Sequence, residues 1–368
     1  MSGLRVERRR GQHFDWILVG IVAVLMAMGL LNLVSAAASG VEGGSDIVSR
    51  QMMVMGLCVA VMAAVVIIDY RHYDRFAYLL YAGTVVLLLL TLAIAEETRG
   101  ARAWLFSGRF QPSEVAKIGM VVALAHYFGR NPPSTIRRLR DLFIPGLIIA
   151  IPVGLIVAQK DLGVAVLTLL IGLTLLPLVN VPLRAWVGIA MVGAAGLAAL
   201  WMYGLKGYQQ ERILGFLDPS RDPLSSGYQQ MQSRIAVGSG GLFGTGWQEG
   251  TQTQLRFLPT QHTDFAFSVL AEEWGFVGST LTLGVYAAML LWGILIARNS
   301  KDAFGAVLAI GLVATLLWPA TINVAMVLGL APVIGVPMPL FSYGGSALLS
   351  AAISIGLLMN ISMRRYVF

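Results

Sequence analysis

Charged residues are scarce in this chain. Asp, Glu, Lys and Arg together make up 12% of its 368 residues, whereas soluble globular chains carry about 25%. With 57% hydrophobic residues and a mean hydropathy of +0.75, the composition excludes an ordinary soluble domain and implies a polytopic membrane protein. Cysteine is nearly absent. The one thiol, Cys58, sits in an apolar run, so no intramolecular disulfide forms. Familiar catalytic signatures are missing too: there is no HExxH, Walker A, CxxC or GxSxG. There is no repeat of 20–50 residues and no low-complexity tract. The net charge of +7 comes from arginines in short clusters between apolar runs, which is no nucleic-acid footprint.

What the chain does have is long apolar runs. A crossing needs about 20 residues, and spans are expected near 16–38, 52–68, 76–95, 113–129, 142–158, 162–181, 185–204, 276–297, 303–328 and 345–363. The expected fold is therefore all-α, one membrane-embedded domain of about ten transmembrane helices. The start, with Arg8, Arg9 and Arg10, an apolar run and SAAASG at 35–40, resembles a signal peptide. Its apolar run is longer than a signal core, so an uncleaved first helix is expected. The run from Phe265 to Ala297 is too long for one crossing, about 50 Å as a helix. It contains Glu272 and Glu273, which cannot face lipid, so its first part is expected above the membrane or against protein.

Lysine and arginine in the short loops put both termini on the cytoplasmic side. The connections 96–112 and 205–264 then lie outside, the second being a large structured extracytoplasmic loop before the eighth span. Its GSGG at 238–241 lacks the Gly-Lys-Ser/Thr of a phosphate loop and reads as a turn. Pro145 with Pro152, and Pro319 with Asn323, suggest kinked spans. LAPVIGVPMPLFSYGG, with three prolines, reads as a re-entrant or capping loop, tolerable only in protein or against a cavity.

Ionisable groups gather at the outer face. Arg99, Arg102 and Arg109 precede the fourth span, and Glu114 and Lys117 begin it, three residues apart on one helix face. Lys160 and Asp161 form the turn between spans five and six, and His262 and Asp264 close the long loop. Taken singly, Glu114–Lys117 reads as a structural ion pair, Lys160–Asp161 as a solvated turn, and His262 as a polar turn residue. Taken together, they outline a cationic outer cleft. Only His126 and Asn323 read as deep or inner. An outer-face enzyme has no ready nucleotide-activated donor, whereas a lipid-linked phosphate donor brings its tail to the bilayer and its phosphates to Arg and Lys. Glycosyl transfer from a pyrophosphate needs one base but not the second carboxylate used in glycoside hydrolysis.

The blocks ARAWLFSGRFQPSEVAK (101–117), QKDLG (159–163), DPSRDPLSSGYQQMQS (218–233), GSGGLFGTGWQEGTQTQLRFLPTQHTDFAF (238–267), AEEWGFVG (271–278) and INVAMVLGLAPVIGVPMPLFSYGGSALL (322–349) resemble the SEDS family (shape, elongation, division and sporulation). The GTQ-containing segment before FLP is similar to the family's elongation members. The resemblance implies a peptidoglycan glycosyltransferase of the bacterial cytoplasmic membrane. It would polymerise lipid II with a class B penicillin-binding protein and other membrane proteins of the elongation machinery. Asp264 is implied as the essential acidic residue, serving as base or holding a divalent cation such as magnesium or manganese; no other cofactor is implied. Glu114, Lys117 and residues of QKDLG are implied in the substrate cavity, although the family more often has Pro where Lys160 stands. Arg102, Arg109, Lys160, Asp161 and His262 complete the candidate substrate contacts. A lipid II flippase would use the same cleft as a headgroup path, and a non-catalytic scaffold would need no carboxylate at 264.

Overall fold

The computed structural model describes residues 14–38, 44–97, 100–106, 108–131, 139–178, 183–199, 226–258 and 260–365, with scattered positions between 201 and 216. The N-terminal arginines, Arg99 and the 217–225 part of the long loop lie outside the described residues. Among the described residues the fold is all-helical, with one isolated bridge between Leu105 and Phe110. The helices are α1 (Trp16–Ala38), α2 (Gly44–Ile67), α3 (Tyr70–Arg75), α4 (Ala77–Ile94), α5 (Pro112–Arg130), α6 (Phe143–Ala158) and α7 (Leu162–Thr174). They continue with α8 (Leu183–Ala199), α9 (Ser226–Ser239), α10 (Thr251–Gln254), α11 (Ala266–Arg298), α12 (Ala303–Val327) and α13 (Gly345–Arg364). Helix α2 starts at residue 44, well before the expected 52.

Among the described residues, six helices are long and apolar enough to cross a membrane: α1, α2, α4, α11, α12 and α13. In hydrocarbon a helix satisfies its own backbone, and small or apolar side chains decide which face meets protein. Two-thirds of the apolar stretch of α12 and 78% of that of α13 are buried, against 17% for α2, so α12 and α13 are central and α2 peripheral. Helix α5 packs against α4, α6, α7, α12 and α13. That central position is why it can carry Glu114, Lys117 and His126, all buried. Close approach uses glycine: a Cβ on Gly311 of α12 would come within 2.3 Å of Val121 of α5. At the end of the bundle remote from residue 264, Asp15 accepts hydrogen bonds from Trp292 Nε1 (3.0 Å) and Ser362 Oγ (2.8 Å), tying α1, α11 and α13 together.

Helix α11 is not one straight rod. At Gly275, φ 64° and ψ −160° break it, a conformation open essentially only to glycine. Amides freed by the break find loop carbonyls: Phe276 N donates to Gly241 O (2.9 Å) and Val277 N to Leu242 O (3.0 Å). Before the break, residues 266–273 are buried, including Glu272 and Glu273. The Glu272 carboxylate accepts from the Gln252 and Thr253 amides (2.7 and 3.0 Å) and from Thr253 Oγ1 (2.7 Å), at the start of α10. Glu273 accepts from Ser35 Oγ of α1. The two carboxylates therefore face protein, as their charge requires.

Gly275→Ala is expected to destabilise the protein by about 1–3 kcal/mol from backbone strain alone, since its Cβ would also fall 2.3 Å from the Gly244 amide. Gly284→Ala, where a Cβ meets open space, serves as the control. Thermal unfolding of detergent-purified protein should show a lowered midpoint for the first and none for the second.

Candidate active site

Three helix N-termini meet at one end of the bundle. Gln111, at the N-cap of α5, donates its backbone N–H to Ser346 Oγ in the first turn of α13 (3.0 Å), and Ser346 Oγ donates to the Arg109 carbonyl (3.2 Å). The Gln111 side chain donates from Nε2 to Asp161 Oδ2 (2.9 Å). Asp161 in turn caps α7, its Oδ1 accepting from the Val164 amide (3.2 Å). Helix N-termini present unsatisfied N–H groups and a partial positive charge. Their convergence makes this end receptive to anions.

Within that cluster, Lys117 Nζ donates to Glu114 Oε1 at 2.7 Å, with 3% and 11% of the side chains exposed. The pair is internal, and removing one partner would strand a buried charge. Ser350 of α13 donates to the Glu114 carbonyl (3.2 Å), fixing the first turn of α5. Burial pushes the Asp161 carboxyl above its ordinary range. The Val164 N–H, Gln111 and Lys117 pull it down, and Glu114 adds to the rise. Glu114, Lys117, Gln111 and Asp161 thus form one electrostatically coupled group.

Asp264 reaches this group through the irregular loop 328–344. Asn323, fully buried in α12, donates from Nδ2 to the Asp264 carbonyl (2.8 Å) and to the Val336 carbonyl (2.7 Å). Gly335, at φ +72°, lies beside the Asp264 carboxylate, so that a Cβ there would be 3.5 Å from Oδ2. The preceding carbonyl, Ile334 O, packs over Gly163 of α7, where a Cβ would come within 2.9 Å. Two consecutive residues therefore span from Asp264 to the start of α7, two residues past Asp161. His262 accepts from the Tyr343 amide through its carbonyl (3.0 Å), and the two rings meet edge to face at 5.8 Å. Both His262 and Asp264 are partly accessible, and Gly335 is exposed, so the carboxylate stands at an open edge.

The remaining candidates sit elsewhere. Lys160, in the left-handed region at φ +66°, reaches Glu97 Oε2 at 3.1 Å, and Arg102 approaches the same oxygen at 4.0 Å. This is a partly exposed ion-pair cluster on the loop, organised by a carboxylate that the sequence does not single out. The Arg109 side chain is exposed, and only its carbonyl joins the core of the site. Asn323 corrects the sequence reading. Far from lying at the inner side, it is one turn from the end of α12, beside Asp264. His126 lies at the other end of α5, paired with Asp74. Gln111, Ser346 and Asn323 were the missed members; polar residues at the ends of apolar runs were their only signal. Among the described residues, no three His, Cys, Asp or Glu side chains group as metal ligands.

The family described as "Cell cycle protein", FtsW/RodA/SpoVE, matches residues 15–367. The peptidoglycan glycosyltransferase MrdB of Escherichia coli K12 is 39% identical over 360 residues, covering 96% of this chain and 94% of that protein. The peptidoglycan glycosyltransferase RodA of Treponema pallidum is 33% identical, covering 97% and 100%. Among solved structures, a chain from a study of how a peptidoglycan synthase complex coordinates polymerization and crosslinking superposes with a TM-score of 0.81 at 32% identity, covering 96% of this chain and 99% of that one. The rod shape determining protein RodA of Thermus thermophilus superposes with a TM-score of 0.72 at 32% identity, covering 96% and 98%. With the match running through nearly the whole sequence, the chain belongs to the FtsW/RodA/SpoVE family of cell cycle proteins.

Proposed function

We propose that this protein is a peptidoglycan glycosyltransferase that polymerises lipid II during cell elongation. The observation that carries the reading is the placing of one accessible carboxylate, Asp264, across two loop residues from a set of helix N-termini and the Lys117–Glu114 pair. The activities named for the relatives support it. The anion-receptive end suits a lipid pyrophosphate, and the carboxylate suits the acceptor. Asp264 takes the proton of a GlcNAc 4-hydroxyl as that oxygen attacks C1 of a MurNAc on undecaprenyl pyrophosphate. The C1–O bond to pyrophosphate breaks, pyrophosphate leaves with its electron pair, and the anomeric centre inverts to a β-1,4 linkage. Lys117 and the amides at the starts of α5, α7 and α13 neutralise the leaving group. His262 orients the carboxylate. Glu114, Asp161, Arg102, Arg109 and Lys160 complete the substrate path, the last three from its rim.

A divalent cation fits this site only with help from the substrate. Magnesium is ordinarily held by one or two carboxylates together with substrate phosphates, and Asp264 is the carboxylate in position to share it. When bound, the ion would supply charge neutralisation for the pyrophosphate. The finer topology belongs to the same proposal: one embedded domain of ten crossings in the cytoplasmic membrane, termini cytoplasmic, and Asp264 and the 205–264 loop extracytoplasmic. A class B penicillin-binding protein is the partner, which the likeness to a chain of a synthase complex supports.

Asp264→Asn keeps the shape of the side chain and removes its basicity. General base catalysis contributes about 10²–10⁴-fold, so purified protein with its partner and magnesium should make no glycan from lipid II on a gel, while folding and partner binding persist. Wild-type-like chains from this variant would refute the assignment. If the wild type also makes none but moves lipid II across vesicles, the protein is a transporter.

Lys117→Met probes the buried pair. The variant should lose polymerisation, and because an unpaired buried Glu114 costs about 3–5 kcal/mol, its melting temperature should fall. The double variant Lys117→Met/Glu114→Gln should recover stability without activity. Full activity in the single variant would remove Lys117 from the site.

A further inference from the structure

At the end of α5 remote from Asp264, about 28 Å away along the helix, an open cavity of about 470 Å³ lies between α3, the C-terminus of α5 and the start of α12. Three arginines line it: Arg71 and Arg75 from α3, and Arg130 from α5. Its two carboxylates are already engaged. Asp74 receives His126 Nδ1 at 2.7 Å. Asp302 receives the Tyr70 hydroxyl (2.5 Å) and the Gly305 amide (2.6 Å) as the N-cap of α12. Among the described residues, neither Arg75 nor Arg130 makes an ion pair. The cavity is therefore cationic, with guanidinium forks from two separate elements facing one space.

Its depth is fixed by the helices that end there. Helix α3 joins α2 to α4, both long and apolar enough to span, and α12 begins at the same level. Ile67, Ile68, Phe76, Tyr78 and Leu79, flanking α3, are exposed apolar side chains in a chain that crosses a membrane. The mouth thus opens where apolar surface gives way to water, the level of a phospholipid headgroup. Planar guanidinium groups match phosphate oxygens two at a time, and basic pockets between spans recognise anionic headgroups.

We propose that this cavity is a phosphate-binding site, distinct from the Asp264 site, with Arg75 and Arg130 as its principal ligands and Arg71 assisting. The headgroup phosphate of an acidic phospholipid is at the right depth to fill it; free phosphate has the same chemistry.

The test uses the full chain in detergent with two probes. In one arm, native mass spectrometry measures retention of phosphatidylglycerol against phosphatidylcholine. In the other, thermal unfolding is followed as inorganic phosphate is titrated. Wild type, Arg75→Gln/Arg130→Gln, each single variant, and Arg298→Gln are compared. Arg298 is an exposed cation at the end of α11 that does not line the cavity. The double variant should lose about tenfold or more in preference for phosphatidylglycerol, the single variants part of it, and Arg298→Gln almost none. An arginine-dependent response to inorganic phosphate alone would support the site and assign it to a soluble ligand. Equal retention by wild type and the double variant, with no arginine-dependent response to phosphate, would overturn the proposal. So would an equal loss in Arg298→Gln, since diffuse charge would then suffice. Neither arm reads polymerisation, so the outcome is independent of the glycosyltransferase reading.

Discussion

One buried amide organises the catalytic end of the molecule. Asn323 is fully enclosed in α12, yet its Nδ2 meets two backbone carbonyls, those of Asp264 and Val336, from segments that are not helical. Irregular backbone inside an apolar protein leaves carbonyls with no helical partner, and each unsatisfied group costs about 1–3 kcal/mol. Asn323 satisfies two at once and so holds the end of the long loop against the 328–344 segment. From that clamp the other contacts follow. Gly335 lies beside the carboxylate of Asp264, Ile334 over α7, and Tyr343 on the His262 carbonyl. The same segment supports α1, where a Cβ on Gly29 would come within 2.6 Å of the Phe341 carbonyl.

A second constraint works beneath the first. Charge cannot remain unpaired in an apolar interior, and the chain repeatedly uses a buried or half-buried carboxylate to tie an irregular segment to a helix. Glu272 holds the start of α10, and Glu273 binds Ser35 of α1. Asp161 caps α7 and takes the Gln111 side chain, and Asp302 caps α12. The ties at Glu272, Glu273 and Asp161 stiffen the frame around Asp264, whose carboxylate stands at a partly accessible edge, and Asp302 does the same at the opposite end of α12. A reaction in which one carboxylate handles the proton and helix N-termini receive the leaving phosphate needs such a frame to hold that carboxylate in place.

Much of this was legible in the sequence, and the reasons for success and failure are physical. Apolar runs are long, and lipid tolerates little but helix, so the helical segments could be read. Glu272 and Glu273 could be read as facing protein because no other fate suits them in an apolar run. The pairing of Glu114 with Lys117 follows from a spacing of three on a helix. What the sequence hid was side-chain partnership across distance. Lys160 and Arg102 share Glu97, a residue with no pattern of its own. Gln111 and Ser346 are ordinary polar residues until three helix ends meet. Asn323 misled although the end of its span could be read to within a residue, because a sequence does not show which distant carbonyls a buried amide reaches. Parts of the loop 205–264, including the 217–225 portion, lie outside the described residues, so that part of the reading rests on sequence alone.

The most direct measurement of the account is the Asn323→Leu protein, which keeps the branched heavy-atom skeleton of the side chain and removes both hydrogen bonds. Amide hydrogen exchange and lipid II polymerisation should be read on the same preparation. If Asn323 is the clamp, residues 260–265 and 333–343 exchange faster than in the wild type, α5 and α13 exchange as before, and glycan synthesis falls sharply. Unchanged exchange in both segments together with wild-type synthesis would contradict it.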